Sequence, residues 1–194
     1  MSIPFLVKNI NISSDSFPMK VKAVGNTLFF VATNGVNGFE LWRSDGTEAG
    51  TVLVKDIRPG FAGSSADQLT AVGNTLFFRA NDGVNGSELW KSDGAEGGTV
   101  LVKDIRPGSF YGSLPTSLAV VGNTLFFIAN DGVNGDELWR SDGTEAGTVL
   151  VKNISPGSTG SGARYLTAVG NTLFFSANDG VNGDELWRSD GTEA

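Results

Sequence analysis

The sequence reads as an all-β protein built from four-stranded antiparallel blades. Three features lead there: a period of about 48 residues, turn signals that cut each period into short strands, and no stretch with the apolar spacing of a helix. Glu-Leu-Trp begins at Glu40, Glu88, Glu137 and Glu185, spaced 48, 49 and 48 residues apart, and Gly-Asn-Thr-Leu-Phe-Phe begins at Gly25, Gly73, Gly122 and Gly170 at the same intervals. One repeat cannot bury its own apolar faces, so the 194 residues are expected to form a single unit, a β-propeller with four repeats per chain.

Residues 69–105 serve as the model repeat. Leu69–Val72 is the first strand, followed by the two-residue turn Gly73-Asn74 and the second strand Thr75–Ala80, a hairpin signal of the primed-turn type. Asn81-Asp82-Gly83-Val84-Asn85-Gly86 turns the chain into a third strand, Ser87–Lys91, and Ser92–Gly98 turns it into a fourth, Thr99–Ile105. The strands are short, β-branched and aromatic. Leu-Phe-Phe breaks simple alternation, as expected of a sheet covered on both faces by neighbouring blades. A right-handed β-solenoid fits less well, because solenoid coils are usually shorter and lack such hairpin turns.

Blade 1 is placed at 19–57, blade 2 at 69–105, blade 3 at 118–154 and blade 4 at 166–194. Pro4–Ile10 matches Thr51–Ile57, so the chain opens with the last strand of a repeat, and blade 4 carries three strands. Phe5, Leu6, Val7, Lys8, Asn9 and Ile10 are therefore expected to close a ring by pairing beside Glu185–Ser189, because a blade with an unpaired edge would otherwise be exposed. Closure within one chain gives four blades; closure by strand exchange with a second copy gives eight. The packing of two aromatic-rich blade faces favours the larger ring, an eight-bladed homodimer.

The stretch Glu40–Lys55, Glu-Leu-Trp-Arg-Ser-Asp-Gly-Thr-Glu-Ala-Gly-Thr-Val-Leu-Val-Lys, resembles the ELWxxDGT repeat family, whose consensus continues into Gly-Thr-Val-Leu-Val-Lys-Asp-Ile, and the likeness covers nearly the whole chain. The resemblance implies propeller blades in bacterial, often surface-associated or secreted, proteins with no common activity. Looser likenesses to quinoprotein docking segments and to the hairpins of sialidases transfer no chemistry, since no matching cofactor-ligand set or Arg cluster with a Tyr nucleophile is present. Drift between repeats is small: Val121–Ala146 and Val169–Ala194 differ only at Ile128 against Ser176, which suggests recent amplification of one module.

Composition narrows the function classes. There is no Cys, which removes disulfides, thiol nucleophiles and thiolate metal sites, and no His, the commonest general base and transition-metal ligand. A formal charge of −7 with scattered basic residues argues against nucleic acid and anionic membrane as partners. Residues 1–8 lack the basic head of a secretory signal, and no apolar run approaches a membrane span. The compartment stays open.

Glu40, Glu88, Glu137 and Glu185 suggest axial carboxylates of a hydrolase or lyase. Catalytic carboxylate pairs need two different environments, however, and near-identical blades supply the same one each time. Structural roles are expected instead, and the chain is read as non-enzymatic. Asp45, Asp93, Asp142 and Asp190 could bind calcium, as could the Asn-Asp-Gly loops, but neither fits a calcium-loop spacing. Asx-turn chemistry is expected, with no cofactor. Trp42, Trp90, Trp139 and Trp187 are expected to fill the space between blades, all four alike, together with the Phe pairs of the second strands. The connectors between blades vary most, and they are the candidate recognition elements. They carry Arg58, Phe61, Arg106, Phe110, Tyr111 and Tyr165, whose aromatics either seal gaps between blades or present a lectin-like surface to a glycan or a protein.

Overall fold

A computed structural model describes residues 3–192, and within them there is no helix. Fifteen strands form four antiparallel sheets. Blade 1 consists of β1 (Met19–Val24), β2 (Thr27–Thr33), β3 (Phe39–Ser44) and β4 (Val52–Lys55), paired in that order. Blade 2 repeats the meander with β5 (Asp67–Val72), β6 (Thr75–Asn81), β7 (Ser87–Ser92) and β8 (Val100–Lys103). Blade 3 has β9 (Thr116–Val121), β10 (Thr124–Asn130), β11 (Asp136–Ser141) and β12 (Val149–Lys152), and blade 4 has β13 (Arg164–Val169), β14 (Thr172–Asn178) and β15 (Asp184–Ser189).

Each first hairpin closes on a Gly-Asn turn. Gly73 has φ of 55° and the flanking Val72 and Thr75 are paired, the left-handed backbone that a two-residue turn demands and that Gly adopts without strain. Two boundaries differ from the strand pattern read in the sequence. The inner strand of blade 2 starts at Asp67 because a bulge, with Gln68 at φ of 59°, lets it pair across an extra residue. The outer strand stops at Lys103 because the next backbone N–H groups, those of Ile105 and Arg106, turn inward to the Glu88 carboxylate.

The blades stack face to face. Between blades 1 and 2, Phe29, Val31, Leu41, Val54 and Ile57 meet Leu76, Phe78, Ala80 and Trp90. Between blades 2 and 3, Phe77, Leu89, Val102 and Ile105 meet Leu125, Phe127, Ala129 and Trp139, and blades 3 and 4 repeat the arrangement. Every blade thus has a leading face, with the second Phe and the Trp, and a trailing face, with the first Phe and the Leu of Glu-Leu-Trp. The inner strands β1, β5, β9 and β13 contact one another in series, and no comparable contact joins β13 back to β1.

The described residues form a propeller-like arc with two free faces and no closed ring, so the expected pairing of residues 5–10 beside Glu185–Ser189 is not made within one chain. Phe5, Leu6, Val7, Lys8, Asn9 and Ile10 form no strand, and no strand pairs with the outer edge of β15 among the described residues. The segment lies instead on the leading face of its own blade 1, where Ile10 packs with Phe30, Ala32, Trp42 and Leu53. The described residues contain no helix long and apolar enough to cross a membrane.

Candidate functional site

The connectors leave the outer strand of one blade, pass the β2–β3-type loop of that blade and enter the next. Ser64 N–H donates to the Phe39 carbonyl, and Asn81 N–H, one blade on, donates to the Ser64 carbonyl. Arg58 and Arg106 lie against Gly83 and Gly132 of the following blade, so both arginines brace adjacent blades. Phe61, Phe110, Tyr111 and Tyr165 are between 69 and 84% exposed, which excludes a role in sealing gaps within this chain. Phe110 and Tyr111 stack edge to face at 5.5 Å, and the Arg164 guanidinium sits 5.7 Å from the Tyr165 ring. Backbone strain gathers on the same elements. Phe17, Lys20, Ser65, Gln68, Leu114, Ser117 and Tyr165 all have positive φ, a conformation that costs a non-glycine residue about 1–3 kcal/mol.

Asp45, Asp142 and Asp190 each accept from the backbone N–H and hydroxyl of a Thr two residues on, and these bonds hold their carboxyls below the usual range. Asp93, which meets Ala95 instead, accepts only the backbone N–H. In the Asn-Asp-Gly loops, Asp82 accepts from the Val84 and Asn85 N–H groups and from the Asn85 amide. Among the described residues no three acidic side chains gather as a metal cluster would.

The carboxylates before the Trp are not alike. Glu40, Glu88 and Glu137 are fully buried. Glu88 accepts from the backbone N–H of Ile105 (3.3 Å), Arg106 (3.4 Å) and Ser113 (2.7 Å), and from the Ser113 hydroxyl. Glu40 takes the N–H groups of Ile57 and Arg58 while the buried Ser64 hydroxyl finds no partner, and Glu137 takes Ser155 N–H and the Ser161 hydroxyl at 2.7 Å. Each carboxylate fastens the end of its outer strand to the connector. Burial pushes Glu40 and Glu88 up to about 7 and raises Glu137, against the pull of these bonds. The serine partners of Glu88 and Glu137 are not among the residues the sequence singles out; the signal available was a Ser 25 and 24 residues after these Glu, visible once the connectors are aligned on it.

Glu185 is exposed, and its surroundings show why. Among the described residues no further blade covers the trailing face of blade 4 and no outer strand follows β15, so Leu186 is 77% exposed where Leu138, covered by blade 4, is 1%. An open groove of about 400 Å³, lined by Leu138, Val151, Ile154, Phe175 and Trp187 among others, occupies the place of the missing strand. Trp187 accordingly departs from the expected equivalence. Trp42, Trp90 and Trp139 are buried at 6–7% exposure, packed by Leu53, Leu101 and Leu150 of the outer strands, and their indole N–H groups find no partner. Trp187 is half-buried and free to turn its N–H onto the Ala177 carbonyl at 3.0 Å.

The bare leading face belongs to blade 1, where Leu28 is 41% exposed while Leu76, Leu125 and Leu173 are fully covered. Gly46 has open space where Gly94, Gly143 and Gly191 touch the first Phe of the preceding blade.

No known family model matches the chain, and no curated protein matches it. Its fold is similar to parts of solved peptidases. A puromycin hydrolase matches with a TM-score of 0.59 at 17% identity over 90% of this chain and 27% of that one. A Mycobacterium tuberculosis puromycin-hydrolyzing peptidase matches with a TM-score of 0.56 at 16% identity, over 92% and 28%. This chain therefore spans little more than a quarter of those proteins. The likeness shows the fold alone.

Proposed function

We propose that the chain is a non-enzymatic propeller module that assembles through its two free faces, two copies forming an eight-bladed ring by strand exchange. One observation carries this reading: residues 5–10 are held on blade 1 in the position of a preceding blade's outer strand, while among the described residues none pairs with the outer edge of β15. Lys8 Nζ donates to the Thr51 carbonyl at 2.9 Å, as Lys55 does to Thr99 and Lys103 to Thr148 one blade further along. The preceding blade's other three strands are what blade 4 of a second copy offers. Two copies supply eight blades, the upper end of the usual range; three would supply twelve. Such a ring fits the resemblance to ELWxxDGT repeats, and its rim presents the connector aromatics as a scaffold or docking surface.

The solution mass tests this. Light scattering should give about twice 20.3 kDa, whereas a value near 20.3 kDa at all concentrations, or growth into longer polymers, would overturn the eight-bladed ring.

The exposure of Phe110, Tyr111 and Tyr165 favours a second reading, a lectin-like surface in which sugar rings stack on the connector aromatics. Glycan-array binding that disappears in Tyr111→Ala would support it, and silence on the array would leave assembly as the activity. The hydrolase or lyase alternative is the weakest, because Glu40, Glu88 and Glu137 lie buried and occupied by backbone donors.

A further inference from the structure

We infer that the junction between two copies is locked by Glu185, whose carboxylate receives the Ile10 and Asn11 backbone N–H groups and the Ser16 hydroxyl of the second copy. This rests on the assembly reading and specifies the contact that makes it selective for a second copy of this chain.

Three equivalences in the N-terminal segment carry it. Ile10 packs on Phe30, Ala32 and Trp42 as Ile57 packs on Phe78, Ala80 and Trp90. Lys8 makes the same inter-blade bond as Lys55 and Lys103. Ser16 accepts Thr33 N–H at its carbonyl, as Ser64 accepts Asn81, Ser113 accepts Asn130 and Ser161 accepts Asn178. The last match also shows in the sequence, since Ser16, Ser64, Ser113 and Ser161 each lie nine residues before the Gly of a Gly-Asn turn, although Asn11–Met19 lacks the Pro-Gly of the other connectors. Ser16 thus stands where Ser64, Ser113 and Ser161 stand, the last two of which donate their hydroxyls to buried glutamates, and Ile10 and Asn11 stand where Ile57 and Arg58 donate to Glu40. The glutamate these donors lack would precede a Trp in a third strand paired with residues 5–8. In this chain Glu185 is the one such glutamate left exposed.

The register follows from the complete blades. Trp42 faces Leu53, Leu41 faces Lys55 and Arg43 faces Val52, so at the junction Trp187 faces Leu6, Leu186 faces Lys8 and Arg188 faces Phe5 of the second copy. Leu6 then fills the groove beside Trp187. Lys152, exposed where Lys55 and Lys103 are not, reaches the Pro4 carbonyl of the second copy, the counterpart of the Thr99 and Thr148 acceptors. Apolar faces alone would tolerate sliding by two residues. A buried carboxylate does not, because any other register leaves it without donors in a dry interface.

The test uses residues 1–194 and follows mass against dilution by light scattering. Glu185→Ala and Ser16→Ala should each weaken the dimer about tenfold or more, while the double variant weakens it no further than Glu185→Ala alone, the non-additivity of one shared contact. Circular dichroism of the variants should match the wild type, separating lost association from lost folding. A dimer whose dissociation constant is unchanged by Glu185→Ala overturns the latch and leaves the assembly standing. A wild-type chain that never associates overturns both.

Discussion

Blades 3 and 4 are nearly the same sequence in two different places. From Val121 to Thr144 and from Val169 to Thr192 they differ only at Ile128 and Ser176, yet in blade 3 Leu138 and Glu137 are buried and in blade 4 their counterparts Leu186 and Glu185 face solvent. Identical local sequence produces identical strands, turns and hairpins in both. What differs is the neighbour: blade 3 is covered on its trailing face by blade 4 and completed by β12, and among the described residues blade 4 has neither. The comparison shows that in a repeat fold the burial of a residue belongs to the stack rather than to the module.

Truncating the same Trp in two blades should break the symmetry most sharply. Trp139→Ala removes a buried aromatic and should cost about 3–5 kcal/mol in denaturant unfolding, whereas Trp187→Ala should cost less than half as much in a dilute, unassociated chain. Equal losses would mean that the groove beside Trp187 is already filled.

A pH series separates the buried carboxylates next. Glu40 and Glu88 are raised from 4.5 to about 7, so the folded chain holds protons that the unfolded chain releases. Stability from this source is fully present below about pH 4.5 and falls as pH rises through 7, by about 3 kcal/mol per group at most, from 1.36 kcal/mol for each pKa unit. Urea midpoints measured from pH 4.5 to 8 should decline in the wild type and decline less steeply in Glu88→Gln.

A smaller effect is expected from Glu88→Gln at neutral pH. The amide turns a donor toward the N–H groups of Ile105, Arg106 and Ser113, which should cost about 1–3 kcal/mol, while Glu185→Gln should leave the melting temperature of the dilute chain unchanged. The smallest effect is that of Tyr111→Ala. Its side chain is exposed, so a change within about 0.5 kcal/mol is expected, and a larger one would show that the connector aromatics support the fold.

The architecture was readable in the sequence for a definite reason. Gly-Asn turns require positive φ, Phe-Phe and Trp strands require cover on both faces, and a repeated unit must satisfy these needs in the same way each time, so the four hairpin meanders follow from local rules. The Asx turns at Asp45, Asp142 and Asp190 are equally local. The role of Glu40, Glu88 and Glu137 was beyond such rules, because their donors come from a strand end and a connector brought together only by folding. Ser16 was legible in part, as a Ser nine residues before a Gly-Asn turn like Ser64, Ser113 and Ser161, but only the backbone hydrogen bonds show what that shared position does. Offset ends were visible as residues 4–10 matching Thr51–Ile57; where that segment goes was not. The tertiary structure decided it, since the rotation between neighbouring blades sets where the two free faces lie. That rotation is fixed by how side chains interdigitate across each gap, a property of pairs of faces that no single repeat contains.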